Sequence, residues 1–310
     1  MNLPTLQDVL EAARRLEGRV LRTPLVSAWA LGVCLKLESL QVTGSFKPRG
    51  AFNHILRNLD RCRRGVVTAS SGNHGQAVAY AARRLGLPAV VVVPEDVVAV
   101  KEHSIRSWGA EVVRCGRTTA ERIARATELA VTHGLHYVPP FDDPDVVAGQ
   151  GTVGLELLNQ FPKVRAVAVP CGGGGLVSGV AVVVKSLRPD VQVVAVEPEG
   201  AACFYESWRR GTRVRLDRVD TVADGLRAVE PGRLTWECAS RYVDRFVTVS
   251  DVEIQQAVVR LFREGKVVAE PSGAAAVAYC VREPQQGAVA VVSGGNLDPS
   301  LLARWLARWD

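Results

Sequence analysis

Ala166-Val167-Ala168-Val169-Pro170-Cys171-Gly172-Gly173-Gly174-Gly175-Leu176-Val177-Ser178-Gly179-Val180-Ala181-Val182-Val183-Val184 runs for 19 residues without a charge. A helix that crosses a membrane needs about that length. Pro170 and four consecutive glycines stand at the centre, however, and they oppose a helix by about 1 kcal/mol per glycine and more for the proline. The stretch therefore reads as a buried strand, a tight glycine turn and a buried helix.

The same alternation extends in both directions. Residues 89–93, 111–114, 164–169, 191–196, 246–249 and 288–292 are short, mostly β-branched apolar runs. Runs without polar alternation imply strands covered on both faces, hence parallel sheets. Helical spacing fits 74–85, 119–132, 146–161, 176–187, 251–264 and 271–281 between them. Ser250 and Glu253 form a capping box, and Gly265 is expected to end that helix. The fold class is α/β with open parallel sheets. No repeat or low-complexity segment is present, and composition marks no domain boundary.

Bulk properties exclude several classes. A chain of 310 residues holds one large or two medium domains. Its net charge of +6 is spread along the chain, whereas nucleic-acid binding needs a basic stripe and a module. Seven cysteines are scattered with no C-x-x-C pair or zinc spacing, as expected of reduced thiols in a cytoplasmic protein. Residues 1–19 are charged and lack an apolar signal core. Neither a membrane nor a nucleic acid is an expected partner.

Four segments carry candidate chemistry, because ligands of open α/β sheets bind beyond the carboxyl ends of strands. Lys47 lies in Gly44-Ser45-Phe46-Lys47-Pro48-Arg49-Gly50 and is one of only six lysines among 38 basic residues. Pro48 suits the first position of a helix, and Phe52, Ile55, Leu56 and Leu59 continue at helical spacing. A helix N-terminus disfavours an ammonium, and a partly neutral lysine suits Schiff-base chemistry. A plain surface lysine at a helix start is the alternative. Ser70-Ser71-Gly72-Asn73-His74 is either an anion-holding nest or a well-made helix cap. Gly172-Gly173-Gly174-Gly175-Leu176 suits a phosphate at a helix N-terminus. Read alone, with Glu197 at the next strand end, it also allows a nicotinamide-nucleotide oxidoreductase. Ser293-Gly294-Gly295-Asn296 presents a serine at a strand end, or simply turns.

Together with Glu38-Ser39-Leu40-Gln41, Thr43, Ala51, Thr221-Val222-Ala223-Asp224-Gly225 and Glu270-Pro271, these segments follow one order from about 24 to 297. The chain resembles the fold-type II pyridoxal-phosphate enzymes, specifically the threonine dehydratase and serine racemase branch. Four glycines followed by leucine point away from the sister cysteine synthases. The resemblance implies a large domain of residues 1–52 and 146–310, a small one of 53–145, and the cofactor between them. It implies that Lys47 bonds the cofactor with Phe46 beside it. Gly172 to Gly175 and Leu176 would hold the phosphate, Asn73 the ring 3′-oxygen and Ser293 the pyridine nitrogen. Ser70, Ser71, Gly72, Asn73 and His74 would bind the substrate carboxylate, with Ser71 as a second acid/base opposite Lys47.

The implied activity is β-elimination from L-threonine or L-serine, giving 2-oxobutyrate or pyruvate and ammonia. A serine racemase is the alternative within the family. The implied assembly is a homodimer or homotetramer acting on a small amino acid. Relatives that bind a divalent cation use two carboxylates and a carbonyl. Here Glu197 and the Ala201 carbonyl match, but Cys203 holds the second carboxylate position, which disfavours a hard cation. No C-terminal effector domain is expected.

Overall fold

The structure is a computed structural model and describes residues 2–309. Among the described residues, ten strands alternate with twelve α-helices. The strands are β1 (Leu25–Ala28), β2 (Val33–Leu37), β3 (Val66–Ala69), β4 (Ala89–Val93), β5 (Glu111–Arg114), β6 (His136–Tyr137), β7 (Ala166–Pro170), β8 (Gln192–Pro198), β9 (Arg245–Val249) and β10 (Ala288–Val292). The helices are α1 (Leu6–Leu16), α2 (Pro48–Arg57), α3 (Asn73–Arg84), α4 (Ala99–Ser107), α5 (Thr119–His133), α6 (Pro144–Gln160), α7 (Gly175–Leu187), α8 (Cys203–Arg210), α9 (Arg233–Tyr242), α10 (Asp251–Arg263), α11 (Pro271–Arg282) and α12 (Pro299–Arg308). None of them is long and apolar enough to cross a membrane.

Six strands form one sheet in the order β1-β2-β10-β7-β8-β9, and four form another in the order β5-β4-β3-β6. Burial on both faces explains the apolar runs. Ala166 and Ala168 of β7, Val194 and Val196 of β8, and Ala288, Ala290 and Val292 of β10 face one core. Their alternates Val167, Val169, Val193, Ala195, Val289 and Val291 face another, under α7. In the smaller sheet Val91 and Val93 face one layer and Val90 and Val92 the opposite one. A period of two with both faces apolar leaves no polar alternation.

Two expectations are corrected. The large sheet is not wholly parallel: β1 runs antiparallel to β2, with Leu25 opposite Lys36 and Ala28 opposite Val33. β1 is an edge strand with exposed positions, so its pattern carried no buried-strand signal. After α10 the left-handed residue is Lys266 (φ 56°), not Gly265. The expected boundaries at 52/53 and 145/146 fall inside α2 and the first turn of α6. α2 carries Phe52 and Ile55 into the core of the small sheet.

A buried ionic network fixes the start of α2. Arg49 is fully buried and forms a two-pronged pair with Glu38, both N···O distances being 2.8 Å. It also reaches Glu156 on α6 at 2.7 and 3.0 Å and Thr152 at 3.0 Å. Lys36, buried in β2, donates to Glu156 at 2.6 Å, Gln160 at 2.9 Å and the Thr23 carbonyl at 2.8 Å. Thr23 donates to Glu38. Two cations thus face two anions with most of their polar atoms bonded. Burial alone would raise the Glu38 carboxyl, but the adjacent guanidinium holds it below the usual range. Burial pushes Lys36 down against the pull of Glu156.

Removing one member of such a set strands a buried charge at a cost of about 3–5 kcal/mol. Arg49→Leu should lower the unfolding free energy in urea, followed by circular dichroism, by about that amount. A loss below about 1 kcal/mol, the value of an exposed pair, would show that the network does not hold α2.

Candidate active site

Lys47 is the N-cap residue of α2, and Pro48 opens the helix. Its amine donates to the Pro140 carbonyl at 2.7 Å and lies 5.1 Å from the centre of the Phe46 ring. Among the described residues no carboxylate pairs with it. Burial therefore pushes its pKa down to about 8, and the helix N-terminus acts in the same direction. The guanidinium of Arg49, two residues on, is already engaged by two carboxylates.

Backbone pairing brings the Ser293 loop to this lysine. Ser45 forms an antiparallel bridge with Gly294. Phe46 N donates to the Ser293 carbonyl at 3.1 Å, and Gly295 N to the Gly44 carbonyl at 2.8 Å. Ser293 is buried, and its hydroxyl has only a long 3.5 Å approach to the Ser272 carbonyl. The Ser45 hydroxyl is fully buried and has no partner among the described residues.

The glycine loop closes the site from β7. Gly174 has φ 88°, a left-handed conformation that only glycine adopts without strain, and Gly175 opens α7. At Gly173 a side chain would enter the Phe141 ring. Phe141 follows Pro140, whose carbonyl holds the Lys47 amine, so one short segment touches both lysine and loop. Thr235 fixes the loop by donating to the Gly173 carbonyl at 2.8 Å. The first N–H groups of α7 have no intrahelical acceptor and are available to an anion.

The loop after β3 leads into α3. Gly72 N donates to the Ser70 hydroxyl at 3.3 Å, while Ser71 is half-exposed and makes no side-chain hydrogen bond to the described residues. Asn73 is held on both sides: its Nδ2 donates to Glu270 Oε1 at 2.6 Å, and its Oδ1 accepts from Asn296 Nδ2 at 2.7 Å. His74 turns away. Its Nε2 lies 3.1 Å from the Val138 carbonyl, and burial, with Lys47 adding, pushes its pKa down to about 3. His74 is thus a neutral wall residue of the small sheet.

The structure therefore joins Phe46, and with it Lys47, to Ser293 by a direct backbone bond, reaches Asn73 through Asn296 and Glu270, and reaches the Gly172 to Gly175 loop through Phe141. Glu197 has another task. Its two oxygens accept from Phe204 N at 2.9 Å and Tyr205 N at 2.7 Å, at the start of α8. Burial raises its pKa to about 8. Those bonds compete with both uses considered for Glu197, a cation and a nucleotide ribose. Cys203, at the first position of α8, is buried with a thiol raised by burial. A different set, His54, Asp143 and Asp145, has ligand-type atoms within 4.8 Å of one another. Its acids already bond His54, Arg57 and the first N–H groups of α6.

The site fits pyridoxal phosphate on four observations. It offers an amine without a counter-ion among the described residues, a glycine cradle that side chains would fill, a buried serine with a weakly used hydroxyl and an anchored amide. A family model described as "Pyridoxal-phosphate dependent enzyme" matches residues 16–294. The L-threonine ammonia-lyase of Thermotoga maritima is 42% identical over 310 residues, covering 97% of this chain and 77% of that protein. The solved T.th. threonine deaminase superposes with a TM-score of 0.91 at 41% identity, covering 95% of this chain and 99% of that one. Maize serine racemase superposes at 0.93 with 33% identity, covering 99% and 98%. With its lysine, glycine cradle and sheet order in place, the chain belongs to the pyridoxal-phosphate dependent enzyme family.

Proposed function

We propose that the protein is a threonine ammonia-lyase: it eliminates water across Cα–Cβ of L-threonine or L-serine, and hydrolysis of the resulting imine takes one water back up and releases ammonia, so that the net products are ammonia and 2-oxobutyrate or pyruvate. The observation that carries this is the uncompensated Lys47 amine, with a pKa of about 8. Roughly one-tenth of it is neutral at pH 7, a few-hundred-fold gain over an ordinary lysine. Lys47 serves as nucleophile toward the cofactor aldehyde and as the base that takes the Cα proton. When bound, pyridoxal phosphate supplies an electron sink for the bond broken at Cα.

The remaining roles follow from chemistry and position. The amides of Gly172 to Gly175 and Leu176 would hold the phosphate, and the Asn73 amide would hold the ring 3′-oxygen. Ser293 would face the pyridine nitrogen with a hydroxyl, which would not enforce protonation as a carboxylate does and so would favour loss of the β-hydroxyl over return of the proton. Ser70, Ser71 and Gly72 hold the substrate carboxylate through their hydroxyls and amides, and His74 supports that loop from behind. We place the division into lobes at 52/53 and 145/146, with α2 and α6 shared between them. The seven free thiols favour the cytoplasm. We also propose a homodimer or homotetramer, with the exposed Trp29 and Leu40 as candidate contact residues.

The purified protein should convert L-threonine to 2-oxobutyrate. Lys47→Ala should lower that rate by at least the roughly 10²–10⁴-fold of a lost acid–base group, with unchanged circular dichroism. A variant that keeps a tenth of the wild-type rate would place proton removal elsewhere.

A racemase activity is the second reading, favoured by the unbonded Ser71 hydroxyl. In chiral assays on one preparation, Ser71→Ala should suppress serine racemisation and elimination from D-serine. Elimination from L-threonine, which uses Lys47 alone as base, should survive better. An equal fall in all three would make Ser71 a general site residue.

A further inference from the structure

Glu270 is, among the described residues, the carboxylate that touches the candidate site, and none of the roles above uses it. It stands at the N-cap of α11, where an acid ordinarily accepts from the first N–H groups of its own helix. It does not: α11 has no side-chain cap, and the carboxylate reaches across to Asn73 Nδ2 at 2.6 Å. The backbone fixes that direction. Glu270 N donates to the Gly294 carbonyl at 3.1 Å. A side chain at Gly294 would occupy the place of Glu270 Oε1 and come within 3.2 Å of Asn73 Nδ2. Gly294 is thus small because the Glu270–Asn73 contact passes beside it.

The other end of the Asn73 amide is equally determined. Asn296 Nδ2 donates both to Asn73 Oδ1 at 2.7 Å and to the Thr43 carbonyl at 2.9 Å. A primary amide with its oxygen committed to a donor and one N–H committed to a carboxylate has one orientation and one remaining N–H. Carboxylate and amide therefore fix which hydrogen-bonding group Asn73 offers. Glu270 is half-buried, and desolvation raises its pKa to about 7 against the Asn73 bond; Asp224 raises it further and Lys101 opposes this. Ionised or neutral, it keeps an oxygen that accepts from Asn73.

We propose that Glu270 is a positioning residue for cofactor binding, holding the Asn73 amide with its free N–H turned to the ligand. This deepens the reading of Asn73 as the partner of the ring 3′-oxygen and rests on it. The account extends to Asn296 as the opposing clamp.

The test is titration of cofactor-free protein with pyridoxal phosphate, followed by visible absorbance. The set is wild type, Glu270→Leu, Glu270→Gln, Asn73→Ala and the Glu270→Leu/Asn73→Ala pair. Leucine fills a similar volume without an acceptor, whereas glutamine keeps an oxygen for Asn73. Glu270→Leu should weaken binding about tenfold, the scale of a hydrogen bond to a charged group. It should also change the ratio of the cofactor's visible to near-ultraviolet absorbance. Glu270→Gln should restore the wild-type ratio and bind within about threefold of wild type. Because both residues act through one contact, the double variant should bind no worse than the weaker single. Wild-type affinity in Glu270→Leu, an unrestored ratio in Glu270→Gln, or multiplying losses in the double variant would overturn the proposal. If Glu270→Leu melts early, the Glu270→Gln ratio and the Asn73→Ala affinity decide in the same way. A wild-type protein that takes up no pyridoxal phosphate would instead bring down the cofactor site itself, and this inference with it.

Discussion

Two cations stand two residues apart on either side of Pro48, and their opposite treatment is the constraint on which the site depends. Arg49 is enclosed by Glu38 and Glu156 with distances of 2.7 to 3.0 Å. Lys47 receives only a backbone carbonyl. The charge that holds the helix is thus neutralised within the core, and the charge at the cleft is left uncompensated. Had Glu38 or Glu156 reached Lys47, an ion pair would have favoured the ammonium over the neutral amine. The buried network also joins β2, α2 and α6, so the lysine is carried by three elements that cannot shift independently.

Around that lysine the strand ends of two sheets converge. The loop after β10 pairs with residues 44–46, the loop after β3 joins it through Asn73, and the loop after β7 packs on Phe141. Parallel strands deliver all their carboxyl ends to one side, which is why loops far apart in sequence meet there. Glycine recurs at these contacts for a steric reason: Phe141 occupies the space a side chain at Gly173 would need, and Glu270 the space beside Gly294. The contacts are close at the glycine loop, whereas the Ser71 side chain bonds none of the described residues.

Much of this was legible in the sequence, because the strongest signals were those burial imposes. Residues 89–93, 111–114 and 288–292 became strands over those same bounds, since both faces of each are covered. The chargeless run from Ala166 resolved into β7, turn and α7 for the same reason. Lys47 and the glycine loop announced themselves by residues that are costly unless used. Features set by long-range partners were hidden. The antiparallel β1 is an exposed edge without a pattern, and helices α1, α4, α8, α9 and α12 are not among those expected from the spacing of apolar residues. Lys266 took the left-handed position beside Gly265 although glycine was the better local candidate. Glu270 and Asn73 are separated by 197 positions, and only the fold reveals that the acid caps an amide and not its helix. The bonds from the start of α8 to both Glu197 oxygens likewise appear only in the fold.

The claim that Lys47 is left uncompensated, and so partly neutral, is tested most directly by its titration. Cofactor-free protein would be pulse-labelled with an amine-reactive reagent over a range of pH, and the Lys47 peptide quantified by mass spectrometry. A depressed pKa means that the reactive amine appears as pH rises through the lowered value. The account predicts a midpoint near 8 at Lys47. A Lys47 midpoint near the ordinary lysine value of about 10.4 would contradict it.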